Sequence, residues 1–217
     1  MDLSELAELR QEYTYAGLDK HDLAPDPVEQ FRAWFAAWHE VAVGDPNAMV
    51  VTTATPDGRP SVRTVLLRAL DHDGFVFFTN HDSRKGRELA ANPHAALLFP
   101  WHPLGRQVIV EGEATRLDAA ASDAYWATRP RGSQIAALAS PQSQVITDRS
   151  AIEQRWAQLE AELEGREVPR PVHWAGIRVK HERVEFWQGR ERRMHDRLVY
   201  RCDPTSASGW RIERLAP

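Results

Sequence analysis

A chain of 217 residues with 42% hydrophobic and 27% charged side chains can bury one substantial core, and none of its apolar runs is long enough to cross a bilayer. Its formal net charge of -4 gives no general attraction to nucleic acid, so a basic patch must be local and directed at a small anion. Cys202 is the single cysteine, which excludes an internal disulfide framework and a cysteine-based zinc site; with Asp2, Glu5 and Glu8 where a signal peptide would be basic, a reducing cytoplasm is the expected compartment.

Ser4 to Glu12 reads as a short amphipathic helix and Tyr13 to Gly17 as a break after it. Asp26 and Pro27 form an N-cap and first-turn pair, and Val28, Phe31, Trp34, Phe35, Trp38 and Val41 then recur at helical spacing until Gly44-Asp-Pro46. Met49 to Thr55 and Ser61 to Arg68 flank Pro56-Asp-Gly58 as a hairpin, and Phe75 to Thr79 follows as the third antiparallel strand in a row. Strict alternation places Arg63 and Arg68 on opposite faces of one strand.

Ser83 caps a helix that runs to Asn92 and carries Arg84 and Lys85 in its first turn. There they oppose the helix dipole and either face solvent or hold an anion. Two strands, Ala95 to Trp101 and Gln107 to Leu117, precede a helix capped by Asp118 that contains Tyr125 and Trp126. Arg129-Pro-Arg-Gly-Ser133 breaks it before a short helix over Gln134 to Ala139, and Ile152 to Leu163 is amphipathic. The last third reads as strands at Trp174 to Lys180, Arg183 to Gln188, Leu198 to Cys202 and Trp210 to Arg214. So many antiparallel strands with inserted helices predict a mainly β chain, an α+β closed or partly closed barrel forming a single domain over residues 1–217.

Dinucleotide, Walker and zinc-helix signatures are absent, and nine histidines are scattered without ligand spacing, so no metal is expected. The chain instead offers distributed anion-binding candidates: Arg63, Arg68, Ser83-Arg84-Lys85, Arg129 with Ser133, and Gln142-Ser143. The densest charge is in Arg190 to Arg197, which holds four arginines, a histidine and two acids. That run is either a solvated turn or an anion site, and Phe186, Trp187 and Gly189 just before it favour the site, Gly189 by letting the backbone turn sharply. Residue chemistry reaches as far as a barrel that binds phosphorylated small molecules.

Several runs closely resemble the pyridoxamine 5'-phosphate oxidases: Arg63-Thr-Val-Leu-Leu-Arg68, Phe78-Thr-Asn80 with Ser83-Arg-Lys85, Leu98-Phe-Pro-Trp101, Arg106-Gln-Val108, Arg129-Pro-Arg131 with Ser133-Gln134, Phe186-Trp-Gln-Gly189 with Arg193-Met-His-Asp-Arg197, and Arg214-Leu-Ala-Pro217. The resemblance extends from about Arg10 to the last residue. It implies an FMN-binding split β-barrel, a homodimer with FMN at the subunit interface, and oxidation of pyridoxamine or pyridoxine 5'-phosphate to pyridoxal 5'-phosphate with oxygen reduced to hydrogen peroxide. It assigns FMN contacts to Arg63, Thr64, Val65, Leu66, Leu67, Arg68, Phe78, Thr79, Arg84, Lys85, Gln107, Gln142, Ser143, Trp187 and Arg197. Substrate contacts fall to Arg10, Tyr13, Arg68, Tyr125, Arg129, Ser133, Arg193 and His195, the last two being the catalytic candidates. Residues 1–23 would be a lid-like segment and residues 173–217 would complete the barrel and the active site. Two features depart from the family's usual pattern: Arg68 stands where a lysine is usual and Met194 where a leucine is. The same fold could serve another ring substrate such as a phenazine precursor, or a non-catalytic binder of flavin or pyridoxal phosphate.

Overall fold

Asp26 and Pro27 start the first helix as their chemistry requires. In the computed structural model, which describes residues 13–217, the Asp26 carboxylate accepts the amide protons of Val28 and Glu29 at 2.7 and 3.2 Å, and Pro27 takes the first helical position, where a missing N–H leaves nothing unpaired. The helix expected over Ser4 to Glu12, and Arg10 within it, lie outside the described residues. The described elements run α1 (Pro27–His39), β1 (Ala48–Ala54), β2 (Pro60–Leu66), β3 (Ala69–Asp71), β4 (Gly74–Asn80), α2 (Arg84–Ala91), β5 (His94–Trp101), β6 (Arg106–Arg116), α3 (Ala119–Ala127), α4 (Arg131–Ala139), α5 (Arg149–Glu162), β7 (Trp174–Val179), β8 (Arg183–Gln188), β9 (Asp196–Cys202) and β10 (Trp210–Leu215). Strand pairing follows β10-β9-β8-β6-β5-β1-β2, with β7 on β6 and β4, and β3 on β4.

The described residues gather into two compact units, one of those up to Val50 with Leu97–Glu111 and His181–Pro217, the other of Val51–Ala96 and Gly112–Lys180. In the first unit the apolar stripe of α1 makes the core. Phe31 meets Phe99 edge-on at 4.8 Å and Trp34 meets Phe186 at 5.1 Å, with all four rings buried. Burying one such side chain contributes about 1.5–3 kcal/mol. Val41 falls past the end of α1 and is 44% exposed, so the stripe is one turn shorter than its spacing suggests. Trp38 closes that end by donating its indole N–H to the Pro46 carbonyl at 2.9 Å.

In the second unit Trp126, Ile135, Ala139, Leu159, Val168 and Trp174 form a separate core beneath α3, α4 and α5. Three sequence expectations are corrected here. Strand β2 stops at Leu66, because the Arg68 amide already bonds Val76 O at 2.8 Å and the chain enters the short β3–β4 hairpin; Arg63 and Arg68 therefore do not share a strand. Strand β4 consequently pairs with β3 and β7 instead of continuing a meander from β2. Helix α4 begins three residues early, at Arg131, since the Pro130 carbonyl collects the amides of Ser133 and Gln134 at 2.9 and 3.1 Å and turns an apparent breaker into a start.

Candidate active site

Residues of β2, β4, α2, α3 and α4 surround a cavity of about 830 Å3 in the second unit. One wall is aromatic. Phe78, Tyr125 and Trp174 lie nearly parallel, with Phe78 and Tyr125 centroids 3.9 Å apart and Tyr125 and Trp174 inclined by 6°. Above these rings stand two cations: the Arg68 guanidinium 6.0 Å from the Tyr125 centroid, and that of Arg129 4.7 Å from Trp174 and 5.3 Å from Trp126. Arg129 donates to Ser133 O at 2.9 Å, and its buried Nε has no hydrogen-bond partner among the described residues. Burial pushes the Arg129 pKa down, which marks a cation placed where a ligand anion would repay its lost hydration. Such a wall suits a flat aromatic ring that carries an anionic group.

Lys85 reaches the same cavity from α2, its Nζ 2.9 Å from Thr79 Oγ1 and 3.2 Å from Gln142 Oε1. Burial, with the nearby Arg63 charge, brings it down to about 8. A second cavity of about 460 Å3 is lined by Ser61, Arg63, Arg84, Lys85, Gln142 and Ser143 among others. Behind it Glu88, 6% exposed, accepts from Thr53 at 2.5 Å, from Ser61, and from Arg84 Nε at 2.8 Å, with Arg63 Nη2 at 3.5 Å. Burial alone would raise its pKa, but these donors overcome that and hold it at about 2.

In the first unit, strand register builds another set. Gln107 on β6 is opposite Trp187 on β8, which is opposite Arg197 on β9, so the three side chains sit abreast on one face while Val108, Phe186 and Leu198 turn into the core. Arg197 is bound by Glu185, two residues from Trp187 and 2% exposed, through Nε and Nη2 at 2.7 and 3.1 Å; Arg183 reaches the same carboxylate at 2.6 Å.

The run after Trp187 folds over that face. Tyr13, Trp187 and His195 cluster with ring centroids 4.7 to 5.9 Å apart. Gly189 permits this in a way the sequence reading did not anticipate. Its φ is not positive; a Cβ there would come within 2.7 Å of the Tyr13 ring, so the absent side chain matters and the turning freedom does not. The sharp turn belongs to Arg192 and Arg193, at φ 54 and 62, a left-handed conformation that costs a non-glycine residue about 1–2 kcal/mol. His195 Nδ1 accepts the Arg190 amide at 3.1 Å, which puts the neutral ring's proton on Nε2, and burial together with Arg193 lowers its pKa.

Of the residues assigned from sequence, Thr64, Val65, Leu66, Arg68, Phe78, Thr79, Lys85, Gln142, Tyr125, Arg129 and Ser133 meet in the larger cavity, while Arg63, Arg84 and Ser143 line the smaller one. Leu67 is buried and lines neither. Gln107, Trp187, Arg197, Tyr13, Arg193 and His195 belong to the first unit. Sequence reasoning missed Trp174, whose ring completes the aromatic wall, and Glu88 and Glu185. The i,i+4 spacing of Arg84 and Glu88 was a legible signal; Glu185, an acid between the apolar Val184 and Phe186, was another.

A barrel-type sheet with a basic, aromatic-walled cavity is of the class suited to phosphorylated ring compounds. Comparison with known families gives the relationship. Residues 35–162 match the family model described as pyridoxamine 5'-phosphate oxidase, and residues 174–217 that described as the pyridoxine 5'-phosphate oxidase C-terminal dimerisation region. The chain belongs to the pyridoxamine 5'-phosphate oxidase family. It is 56% identical to the pyridoxine/pyridoxamine 5'-phosphate oxidase of Rubrobacter xylanophilus over 98% of this chain and 97% of that protein, and 52% identical to that of Salinibacter ruber over 99% and 100%. Among solved structures it resembles PhzG from Burkholderia lata, in complex with tetrahydrophenazine-1-carboxylic acid, at 31% identity and TM-score 0.87 over 95% of this chain and 100% of that one. A pyridoxamine 5'-phosphate oxidase-related, FMN binding protein from Nostoc punctiforme, 16% identical with TM-score 0.69 over 90% of this chain and 100% of that one, shares the fold. The expected split β-barrel class is thus borne out.

Proposed function

We propose that the protein oxidises pyridoxamine 5'-phosphate and pyridoxine 5'-phosphate to pyridoxal 5'-phosphate as an FMN-dependent homodimer that reduces oxygen to hydrogen peroxide. The observation that carries this reading is one cavity, in a chain of this family, where Arg68, Tyr125, Arg129 and Ser133 stand beside Phe78, Thr79, Lys85 and Gln142. Bound flavin supplies the redox chemistry, accepting hydride and passing electrons to oxygen. The chain supplies binding and orientation. Arg63, Arg84 and Lys85 line a cavity whose charge fits the flavin phosphate, and Gln107, Trp187 and Arg197 offer a ring and two polar groups abreast. Arg68 and Arg129 hold the substrate phosphate, and Tyr125 covers the pyridine ring. Arg193 and His195 contact substrate, His195 as an N–H donor through Nε2. Because its Nδ1 is occupied by the Arg190 amide, positioning is a better role for it than proton abstraction. The match of residues 174–217 to a dimerisation region supports the homodimer.

Anaerobic titration of the purified flavoprotein with pyridoxamine 5'-phosphate should bleach the flavin's visible absorption; an unchanged spectrum would overturn the reading. A tetrahydrophenazine-type ring substrate is the second reading, supported by the likeness to the Burkholderia protein. Bleaching by that class alone would favour it. Within the first reading, Arg68→Lys should stay active, whereas Arg68→Ala should raise KM roughly ten- to a hundredfold with kcat little changed, the value of a charged hydrogen bond of about 1.5–3 kcal/mol. Steady-state kinetics in which the alanine variant keeps its KM would remove Arg68 from the phosphate.

A further inference from the structure

Glu88 is a buried carboxylate that touches neither cavity, yet every donor it holds leads toward the smaller one. A carboxylate accepts and cannot donate, and each hydroxyl has one proton to give. Thr53 Oγ1 gives its proton to Glu88 at 2.5 Å, and Ser61 Oγ gives its proton to the same oxygen. Both hydroxyls are left with lone pairs, and these receive Arg63: Nη1 donates to Thr53 at 2.7 Å and Nη2 donates to Ser61. The two hydroxyl oxygens are themselves 3.3 Å apart. Without an acceptor behind them, one hydroxyl would bond the other and a proton would be free to swing toward the guanidinium.

The other carboxylate oxygen takes Arg84 Nε at 2.8 Å. Three cations, Arg63, Arg84 and Lys85, line the cavity, and the one anion set back from it, Glu88, is bound by Arg63 and Arg84, which leaves a net of two positive charges facing the cavity. That balance matches a phosphate monoester dianion. Glu88 remains ionised throughout the physiological range, since its pKa is held at about 2.

We infer that Glu88 is a positioning residue: its carboxylate fixes the proton direction of Thr53 and Ser61 and thereby holds Arg63 and Arg84 as a preformed cradle for the flavin phosphate. The inference rests on reading the smaller cavity as the phosphate site. It is tested by flavin fluorescence on full-length protein stripped of flavin, comparing FMN with riboflavin, which lacks the phosphate. Glu88→Leu should weaken FMN about ten- to a hundredfold and riboflavin less than about threefold, because only a charge-assisted phosphate contact is lost. Glu88→Gln, which keeps an acceptor oxygen, should recover most of that loss. FMN affinity near wild type in Glu88→Leu, or equal losses of both flavins, overturns the assignment. If Glu88→Leu does not fold, Thr53→Val combined with Ser61→Ala removes the relay and leaves the carboxylate, and unchanged FMN affinity there is equally fatal. Failure of the underlying reading looks different: wild type would not prefer FMN to riboflavin, or Arg63→Ala would keep the preference. A preference lost in Arg63→Ala but retained in Glu88→Leu sinks the role of Glu88 alone.

Discussion

Arg193→Ala should lower kcat/KM for pyridoxamine 5'-phosphate by about a hundredfold or more while flavin affinity and thermal stability stay close to wild type. Arg193 is exposed and makes no hydrogen bond or ion pair among the described residues, so its removal costs the fold little, within about 0.5 kcal/mol. Its backbone nevertheless sits at φ 62, next to Arg192 at φ 54. Two consecutive left-handed arginines fit a turn shaped to meet a ligand, which accords with the contact proposed for Arg193. A group that contacts the reacting molecule and little else should act mainly on the transition state. The contrary account makes Arg193 a buttress of the loop after Trp187, and it expects lost flavin with normal turnover of whatever holoenzyme remains. Flavin content and the anaerobic rate of flavin reduction, measured on one Arg193→Ala preparation, separate the two, and full-rate reduction would end the catalytic assignment. His195 adds a pH signature. Protonating its Nδ1 displaces the Arg190 amide, and because its pKa is lowered, activity should fall on the acid side only below the ordinary histidine range.

Local rules carried the fold a long way. Asp26-Pro27, Ser83 and Asp118 all cap the helices they were expected to cap, because an N-cap depends on a side chain and amides within three residues of it. What failed was non-local. Nothing in the run from Ser61 to Arg68 reports that Val76 O will take the Arg68 amide and end β2 two residues early. Pro130 looked like a terminator because proline usually is one, and its carbonyl's service to Ser133 and Gln134 depends on the turn it adopts. The candidate site divides in the same way. Residues within one motif, such as Arg129 and Ser133, were recognisable together and the Arg84–Glu88 spacing was legible, whereas the longer pairings were not, since Glu88 meets Arg63 across 25 positions and Glu185 meets Arg197 across 12. Arginines announce an anion site by number; the acids that aim them, Glu88 on a helix and Glu185 on a strand, meet most of them only in the folded chain.

Glu185→Gln should destabilise the protein by about 2–3 kcal/mol at neutral pH, a melting point about 5–10 °C lower for a chain of this size. Removing one partner of a buried pair costs about 3–5 kcal/mol when the remaining charge is fully buried. The smaller figure applies because Arg197 is 32% exposed and Arg183 keeps Glu111 at 2.7 Å. The pH dependence identifies the cause. Burial alone would raise the Glu185 pKa, but hydrogen bonds from Arg197 and Arg183 leave it lowered. A carboxylate whose folded pKa lies below its unfolded value, about 4.3, contributes stability that is fully present above the unfolded value and lost as pH falls through the folded one. The gap between wild type and Glu185→Gln should therefore be constant near neutrality and shrink as pH falls below about 4. Urea unfolding at neutral and acid pH measures it, and a gap that does not change with pH would assign the loss to packing. The same variant frees Arg197 from the only carboxylate that holds it among the described residues, while Trp187 and Gln107 keep their strand register. Flavin affinity should fall with the tether, by about tenfold for one loosened charged contact, and a variant that loses stability but binds flavin normally would separate the Glu185 pair from the flavin site altogether.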